Sequence, residues 1–285
     1  MKLKDRIRTA LTVTIRALVR MCIQTRIGVH VQEQFLDAAT DRVTVVTHND
    51  VDLMISTPNL LCTYRARSFS DKEPETLEWI DSIPEGAVLW DIGANVGLYS
   101  VYAAKVRGCR VWSFEPSVFN LESLARNIFL NGLTDKVCIV PLALNDQLGA
   151  SRMQMTSTQW GGALSTFVQD FGWDGKKLQS IFEFQTIGLS MEDAVQKMDI
   201  PTPDYIKMDV DGIEHLILRG GRSVLGTVQG VLVEVNDAFQ EQSQVCTRIL
   251  KEAGLVLAEK RHADFLDAPG AFGGGQVWNQ IWVRD

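Results

Sequence analysis

The stretch AVLWDIGANVG, residues 87–97, joins an apolar run to a glycine-rich turn. A continuous apolar run of this kind is typical of a strand that is buried on both faces of a parallel sheet. Ligands of open α/β sheets bind at the turn that follows such a strand. We expect Gly93 to let a ligand approach the backbone closely and Gly97 to permit tight helix–strand packing. The stretch therefore predicts an α/β domain with a ligand cleft at this turn.

Strands and helices alternate along the rest of the chain. Further strands are predicted at residues 110–114, 137–142, 205–208, 231–235, 255–258 and 280–283, and helices at 97–106, 117–130, 213–225 and 245–253. This alternation predicts a mostly parallel sheet covered by helices on both faces. The last two strands have no helix between them, so we expect the final strand to run antiparallel to its neighbours.

Three segments differ in composition from one another. Residues 1–35 predict a basic amphipathic helical segment, residues 36–85 a small lead-in element of strands and a helix, and residues 86–285 the ligand-binding domain. Residues 147–197 interrupt the alternation and carry six Trp and Phe side chains. This insertion either shapes a substrate pocket or covers an edge of the sheet.

Charge is distributed unevenly along the 285 residues. The net charge is −7, and residues 1–30 contain seven Lys or Arg against one acid, a charge of +6, which leaves −13 for the rest. An acidic body argues against a nucleic-acid partner, because a long polyanion needs a basic surface. The five cysteines are scattered without a Cys-x-x-Cys pair, which predicts reduced thiols in a cytoplasmic protein.

The N-terminal segment has two sides on a helical wheel. The apolar side carries Ile7, Leu11, Ile15, Leu18 and Cys22, and the opposite side carries Arg6, Arg16 and Arg20. One interpretation is peripheral contact of residues 1–25 with an anionic membrane surface. The other is packing on the catalytic domain or on a partner subunit, as in a homo-oligomer.

Four features of the predicted cleft concern the choice of cofactor. Asn95 stands where the dinucleotide fingerprint has its second glycine, on which a pyrophosphate lies. The carboxylate of Asp91, directed at the turn, would repel a pyrophosphate but suits the cationic amino-acid part of S-adenosylmethionine. Glu115, after the next strand, can accept hydrogen bonds from both ribose hydroxyls, and Asn145 can flank the adenine. Together they favour S-adenosylmethionine over NAD.

With these motifs the chain resembles the FkbM family of methyltransferases. The motifs are KEPET at 72–76, DIGANVG at 91–97, FEP at 114–116, NGL at 131–133, IKMDVDGIE at 206–214 and LRG at 218–220. The resemblance implies a Rossmann-like class I methyltransferase fold, with a seven-stranded, mostly parallel sheet whose last strand is antiparallel. It also implies O-methylation of hydroxyls on sugars, glycans and other small natural products. Asp211 departs from the family, which usually has Glu there.

Charged residues at the end of the predicted strand 205–208 are the catalytic candidates. Methyl transfer needs an acceptor oxygen in line with the methyl carbon and a route for its proton. Burying Lys207 and Asp209 in an apolar strand costs several kcal/mol unless they are paired or used. Asp209 or Asp211 is therefore a candidate general base, with Lys207 positioning it, and His215 is a second candidate. Asp211 and Glu214 also fit a helix-capping arrangement.

Two further interpretations stay open. Asp209, Glu234 and Asn236 could hold a Mg²⁺-like cation that polarises the acceptor hydroxyl. In function, the alternatives to a methyltransferase are a NAD-type Rossmann oxidoreductase and a non-catalytic cofactor-binding protein on the same scaffold.

Overall fold

The computed structural model describes residues 3–262 and 276–284. The helices are α1 (Leu3–Cys22), α2 (Arg26–Thr40), α3 (Leu60–Arg67), α4 (Phe69–Lys72), α5 (Pro74–Ser82), α6 (Leu98–Val106), α7 (Val118–Leu130), α8 (Met191–Met198), α9 (Glu214–Arg219), α10 (Arg222–Leu225) and α11 (Gln240–Glu252). The strands are β1 (Val43–His48), β2 (Val51–Ser56), β3 (Val88–Ile92), β4 (Arg110–Phe114), β5 (Val137–Val140), β6 (Ala143–Leu144), β7 (Gly149–Met155), β8 (Thr166–Phe167), β9 (Phe182–Leu189), β10 (Tyr205–Met208), β11 (Gly230–Asn236), β12 (Leu255–Arg261) and β13 (Val277–Arg284).

The main sheet has seven strands in the order β12-β13-β11-β10-β3-β4-β5. The strand β13 is antiparallel to both of its neighbours, and the other paired strands are parallel. This confirms the predicted sheet, including its antiparallel last strand. The strand order reverses at β3, which is flanked by β10 on one side and β4 on the other. A crevice for a ligand forms at such a reversal, outside the carboxyl ends of the strands.

Side chains of the main sheet point alternately to two hydrophobic cores. Trp90 and Phe114 belong to one core, whereas Leu89 and Val111 belong to the other. All five residues of β3 are buried, as expected for a strand covered on both faces. The continuous apolar run in the sequence is thus explained by helices or loops on each side of the sheet.

The lead-in element packs against the main sheet. Its strands β1 and β2 form an antiparallel hairpin, and Leu53 and Ile55 share a core with Leu89. Asn127 of α7 anchors the hairpin, because its side chain accepts from the Ser56 amide at 2.7 Å. Residues 43–83 therefore share a core with the domain, and the boundary placed at residue 85 stays a prediction.

The strands of the insertion, β7, β8 and β9, form a second sheet with β6 in the order β6-β9-β7-β8, and α8 follows β9. It lies close to the segment predicted as one helix over 213–225, which is instead divided into α9 and α10. A Cβ on Gly220 would lie 2.6 Å from the Asn145 carbonyl oxygen, and one on Gly221 would lie 1.8 Å from Met191 Cε. The single-helix prediction was wrong, because these two glycines break the helix where the insertion packs against it.

The N-terminal helices are predominantly exposed. Ile7, Leu11, Ile15 and Leu18 of α1 are each more than half exposed, and α2 has no buried residue. The helices α1 and α2 occupy most of the described part of this segment, and the described part of the domain does not cover the apolar side of α1. The boundary placed at residue 35 stays a prediction. None of the helices in the described ranges combines the length and apolar character needed to cross a bilayer.

Candidate active site

Asp91 and Lys207 lie side by side on the paired strands β3 and β10. Lys207 Nζ is 3.6 Å from Asp91 Oδ1 and 3.7 Å from Asp209 Oδ2. The other Asp91 oxygen accepts a hydrogen bond of 2.6 Å from Ser100 Oγ. Asp91 is fully buried and is not among the residues that line the cavities described below. Its carboxylate, which we expected to face the cofactor directly, faces Lys207.

The glycines of the turn are required by contacts within the protein. Gly93 has φ +83°, and a Cβ there would lie 1.8 Å from the Asp209 carbonyl oxygen. Gly97 has φ +81°, and a Cβ would lie 2.3 Å from Leu124 Cδ1. Gly93 therefore allows two strand ends to meet, and Gly97 allows contact with α7. The expected helix–strand contact at Gly97 is instead a contact between the start of α6 and α7.

Glu115 is held by backbone donors at the end of β4. Its Oε2 accepts from the Asn95 amide and its Oε1 from the Ser117 amide, both at 2.7 Å. Burial raises the pKa of Glu115 to about 7. Asn95 adopts φ +52° and donates its side-chain amide to the Gly162 carbonyl at 2.7 Å. The turn, Glu115 and the insertion are thus joined by hydrogen bonds.

A first cavity of about 590 Å³ opens beside Glu115. Its other lining residues include Gly93, Asn95, Leu142, Ala143, Leu144, Gly162, Ala163, Phe167, Asp209 and Asp211. Met153 and Phe167 of the insertion also line it, which favours the pocket-shaping interpretation of that segment. Asn145 is buried and does not line this cavity, and its backbone amide donates to the Leu189 carbonyl. Residues 142–144 line the cavity where we expected Asn145 to flank the adenine.

A second cavity of about 470 Å³ lies on the other side of the turn. Its lining includes Arg65, Phe69, Lys72, Leu98, Tyr99 and Lys207. Gly93, Asn95 and Asp209 line both cavities. The two cavities are therefore neighbours, and these three residues, at the end of β3 and just beyond β10, border both of them.

The second cavity borders a cluster of ionised side chains. Lys72 pairs with the buried Glu73, which also accepts a hydrogen bond of 2.9 Å from the Tyr99 hydroxyl. Burial alone would raise the pKa of Glu73, but Lys72 and Lys207 outweigh it and lower that pKa to about 2. Burial likewise opposes the charge of Lys207, but neighbouring carboxylates, Asp91 first, raise its pKa. Both groups are therefore charged at neutral pH.

Sequence reasoning missed the contribution of the lead-in element to this cluster. Lys72 and Glu73 belong to the KEPET motif, whose Pro74 begins α5. The unusual pairing of a lysine and an acid before Pro74 was the available signal. Arg65 carried no signal, because an arginine in a short helix is ordinary.

Glu214 and Asp211 fit the capping interpretation only in part. Glu214 accepts from the backbone amides of Val210 at 3.0 Å and Gly212 at 3.1 Å. Asp211 is not the helix cap, since it adopts φ +63° and accepts from the Leu164 amide at 2.6 Å. Asp211 therefore connects the strand end to the insertion, while Glu214 supports the loop that holds Asp209.

His215 lies among aromatic rings. Its ring centroid is 6.5 Å from that of Phe171 and 5.7 Å from that of Phe239. Burial, with the nearby Arg219, lowers its pKa to about 4. His215 is absent from the lining of both cavities. The structure thus does not bring this candidate base to Asp209.

The predicted metal ligands are only partly brought together. Burial, reinforced by Asp209, raises the pKa of Glu234 well above its usual value. Asn236 uses its side chain internally, accepting from the Ala238 amide at 3.0 Å and donating to the Trp173 carbonyl at 3.2 Å. Within residues 3–262 and 276–284, no three His, Cys, Asp or Glu side chains form a metal-binding group.

The fold and the cleft together define the class. A seven-stranded sheet that reverses at β3, with a glycine turn after β3 and a buried acid after β4, is the arrangement of class I methyltransferases. Residues 91–265 match the family described as methyltransferase FkbM domain, and the chain belongs to this family. The resemblance inferred from the motifs is thereby confirmed.

Similar proteins include one curated relative and several solved structures. The chain is 25% identical over 209 residues to the hexuronic acid methyltransferase AglP of Haloferax volcanii, covering 71% of this chain and 79% of that protein. Precorrin-6y C5,15-methyltransferase from Geobacter metallireducens aligns with a TM-score of 0.43 and 12% identity, over 75% of this chain and 87% of that one. M. jannaschii TYW2 in complex with AdoMet aligns with a TM-score of 0.43 and 14% identity, over 85% and 87%. At such low TM-scores the fold assignment rests on the strand order of this chain.

Proposed function

We propose that this methyltransferase uses S-adenosylmethionine to methylate a hydroxyl of a sugar, glycan or small natural product. The observation that carries the proposal is a pair of cavities that share Gly93, Asn95 and Asp209 as lining residues. Two ligands whose reacting atoms must lie in line need adjoining sites of this kind. The carboxylate of Asp209 is 28% exposed and borders both.

The residues of the first cavity fit the adenosine part of the cofactor. Glu115 offers a carboxyl group at the end of β4, where ribose hydroxyls are bound in open α/β sheets. Leu142, Ala143 and Leu144 offer an apolar wall for the adenine ring. When bound, S-adenosylmethionine supplies an electrophilic methyl group on a sulfonium. We keep Asn145 as an indirect support for this wall, and Gly97 as a packing residue.

Asp209 is the proposed general base. With S-adenosylmethionine bound, its carboxylate would take the proton of the acceptor hydroxyl as the new O–CH₃ bond forms, the S–CH₃ bond breaks and S-adenosylhomocysteine leaves. Lys207, itself held by Asp91, positions this carboxylate from 3.7 Å. Lys207 stays protonated in this role, because the neighbouring carboxylates favour its charged form.

The acceptor class rests on the family and on the curated relative. AglP is named for methyl transfer to a hexuronic acid, and the second cavity is lined by Phe69 and Tyr99, whose rings can contact a sugar. The charge of −13 beyond residue 30 disfavours a nucleic-acid acceptor. A cytoplasmic location and a homo-oligomer remain predictions from the sequence.

Binding and turnover together test the proposal. Calorimetry should detect binding of S-adenosylhomocysteine and none of NAD; the reverse would identify an oxidoreductase. A radiolabelled methyl group should then appear in an alkali-stable sugar ether when the protein is given sugar acceptors. Binding without transfer to any acceptor would leave a cofactor-binding protein on a methyltransferase scaffold.

A metal-assisted route is the second candidate for the chemistry, because burial and then the charge of Asp209 raise the pKa of Glu234, which indicates that the two carboxyl groups are neighbours. In this route Asp209, Glu234 and Asn236 would hold Mg²⁺ against the acceptor oxygen. Methyl transfer that is lost in a chelator and restored by Mg²⁺ would favour it. Full activity in the chelator would leave Asp209 as a base.

We also infer that residues 1–25 contact an anionic membrane surface. The exposed apolar side of α1 lies opposite Arg6, Arg16 and Arg20, an arrangement that suits a helix lying in the headgroup region. Each basic residue near such a surface contributes about 1 kcal/mol. The full chain should sediment with vesicles that contain phosphatidylserine and not with phosphatidylcholine alone. If the chain sediments with neither kind of vesicle and forms a dimer at high protein concentration, the partner of α1 is a second copy of the chain.

A further inference from the structure

Three cationic side chains line the second cavity, and one of them differs from the other two. Lys72 pairs with Glu73, and Lys207 pairs with Asp91 and Asp209. Arg65 has no carboxylate within 4.0 Å among the described residues. Among the described residues, Arg65 is therefore the cation of this cavity that forms no ion pair with a carboxylate.

The side chain of Arg65 is nevertheless held in place. Its Nε donates to the Gly161 carbonyl at 2.8 Å, and Gly161 in turn donates its amide to Asn120 Oδ1 at 3.0 Å. Gly161 adopts φ +80°, and a Cβ there would lie 3.3 Å from Arg65 Nε. The insertion thus anchors one edge of the guanidinium and leaves the two terminal amino groups for another partner.

We propose that Arg65 binds the carboxylate of a ligand in the second cavity. A guanidinium binds a carboxylate through two parallel hydrogen bonds. The apolar walls at Phe69 and Leu98 reduce screening by water and strengthen such a pair. Lys72 and Lys207 are already paired with carboxylates, so Arg65 supplies one available positive charge among the described residues. One positive charge suits a monoanion such as a carboxylate better than a phosphate ester, which carries more negative charge.

Two ligands of the proposed function carry such a group. One is S-adenosylmethionine, whose amino-acid end would enter the second cavity past Gly93 when its adenosine occupies the first. The other is a uronic acid acceptor. This inference rests on the proposed function, and it explains why the lead-in element, which precedes the matched residues 91–265, is part of the site.

The test compares Arg65→Gln with Arg67→Gln, a matched change at an exposed position of the same helix. S-adenosylhomocysteine and 5′-methylthioadenosine, which lacks the amino-acid end, are titrated calorimetrically. If the cofactor supplies the carboxylate, Arg65→Gln weakens S-adenosylhomocysteine by roughly 10- to 100-fold and leaves methylthioadenosine unchanged. Arg67→Gln should match the wild type for both compounds.

The second arm addresses the acceptor. Glucuronate and glucose are titrated into the protein saturated with S-adenosylhomocysteine and followed by NMR. If the acceptor supplies the carboxylate, only glucuronate binding is lost in Arg65→Gln, and S-adenosylhomocysteine affinity is kept. Unchanged binding of S-adenosylhomocysteine and glucuronate in Arg65→Gln would overturn the inference. Equal weakening of S-adenosylhomocysteine and methylthioadenosine would overturn it too. A wild-type protein that binds no S-adenosylhomocysteine would instead overturn the proposed function.

Discussion

Glu73 and Glu115 are both buried beside the same turn, at 3% and 5% exposure, yet their carboxyl groups behave in opposite ways. Glu115 has backbone amides as partners and a pKa raised to about 7 by burial. Glu73 is buried among Lys72 and Lys207, which lower its pKa to about 2. Burial favours the neutral form in both cases, and only the neighbouring charges differ. The comparison divides the cleft into a hydrogen-bonding half near the first cavity and an ionised half near the second.

The largest effect is expected in the ionised half, where Asp209 meets the acceptor. Asp209→Asn keeps the shape but cannot take a proton, so kcat should fall by roughly 10²- to 10⁴-fold. Glu115→Gln should mainly weaken S-adenosylhomocysteine binding and leave kcat within several-fold. Calorimetry and initial rates on both variants check this division. Loss of cofactor affinity in Asp209→Asn with normal kcat would reverse the assignment.

A second prediction concerns the ion cluster itself. Lys207→Met should lower the free energy of unfolding by about 3–5 kcal/mol, because Asp91 and Glu73 lose a buried countercharge. The control is Lys197→Met, which breaks an exposed pair with Asp193 and should cost about 0–1 kcal/mol. Denaturant unfolding at pH 7 measures both. If both variants lose the same small amount of unfolding free energy, the buried ion cluster around Lys207 does not stabilise the fold.

The pH dependence of stability separates the two glutamates. The ordinary pKa of a glutamate is 4.5, and that of Glu115 is raised to about 7 in the folded protein. Protonated Glu115 therefore contributes its full stabilisation below pH 4.5, and this contribution is lost as the pH rises through about 7. The pKa of Glu73 is lowered to about 2, so ionised Glu73 contributes its full stabilisation of the folded state above pH 4.5. That contribution is lost as the pH falls toward about 2.

Between pH 4.5 and 7.5, this raised pKa should lower the free energy of unfolding of the wild type by on the order of 3 kcal/mol, at about 1.4 kcal/mol per pKa unit. Glu115→Gln should not show this decline. Unfolding curves across this range measure the slope for wild type and variant. An unchanged slope would mean that Glu115 is ionised at pH 5 in the folded protein.

The smallest effect is expected from a single hydrogen bond to Glu73. Tyr99→Phe removes the donor at 2.9 Å and should destabilise the protein by about 1.5–3 kcal/mol, the usual range for a bond to a charged group. Tyr64→Phe, at an exposed position, should be neutral. If Tyr99→Phe is also neutral at pH 7, the lysines alone hold Glu73 ionised.

Sequence reasoning located the half that contains Glu115 better than the half that contains Glu73. Gly93, Asn95 and Glu115 were predicted to share one site, and they line one cavity. They follow neighbouring parallel strands, so the strand order implied by the alternation brings them together. Arg65 and Glu73 belong to a preceding element, whose docking no local pattern encodes.

Some side-chain directions also depended on packing. Asp91 was expected to face the ligand, but Lys207 on the paired strand draws its carboxylate inward. His215 was a candidate base, but the helix α9 directs it between Phe171 and Phe239. Whether a charged residue faces a cleft or a neighbour depends on partners that are distant in sequence.

The sequence by itself determined the strands of the main sheet, the family and the residues of the glycine turn. Hydrophobic periodicity and turn chemistry act between near neighbours, so they can be read along the chain. Only the tertiary structure decided which charges pair, which cavities Asp209 borders and which cation remains for a ligand. These properties arise from contacts between distant segments, such as Lys207 with Asp91 and Arg65 with Gly161, where burial makes each unpaired charge costly.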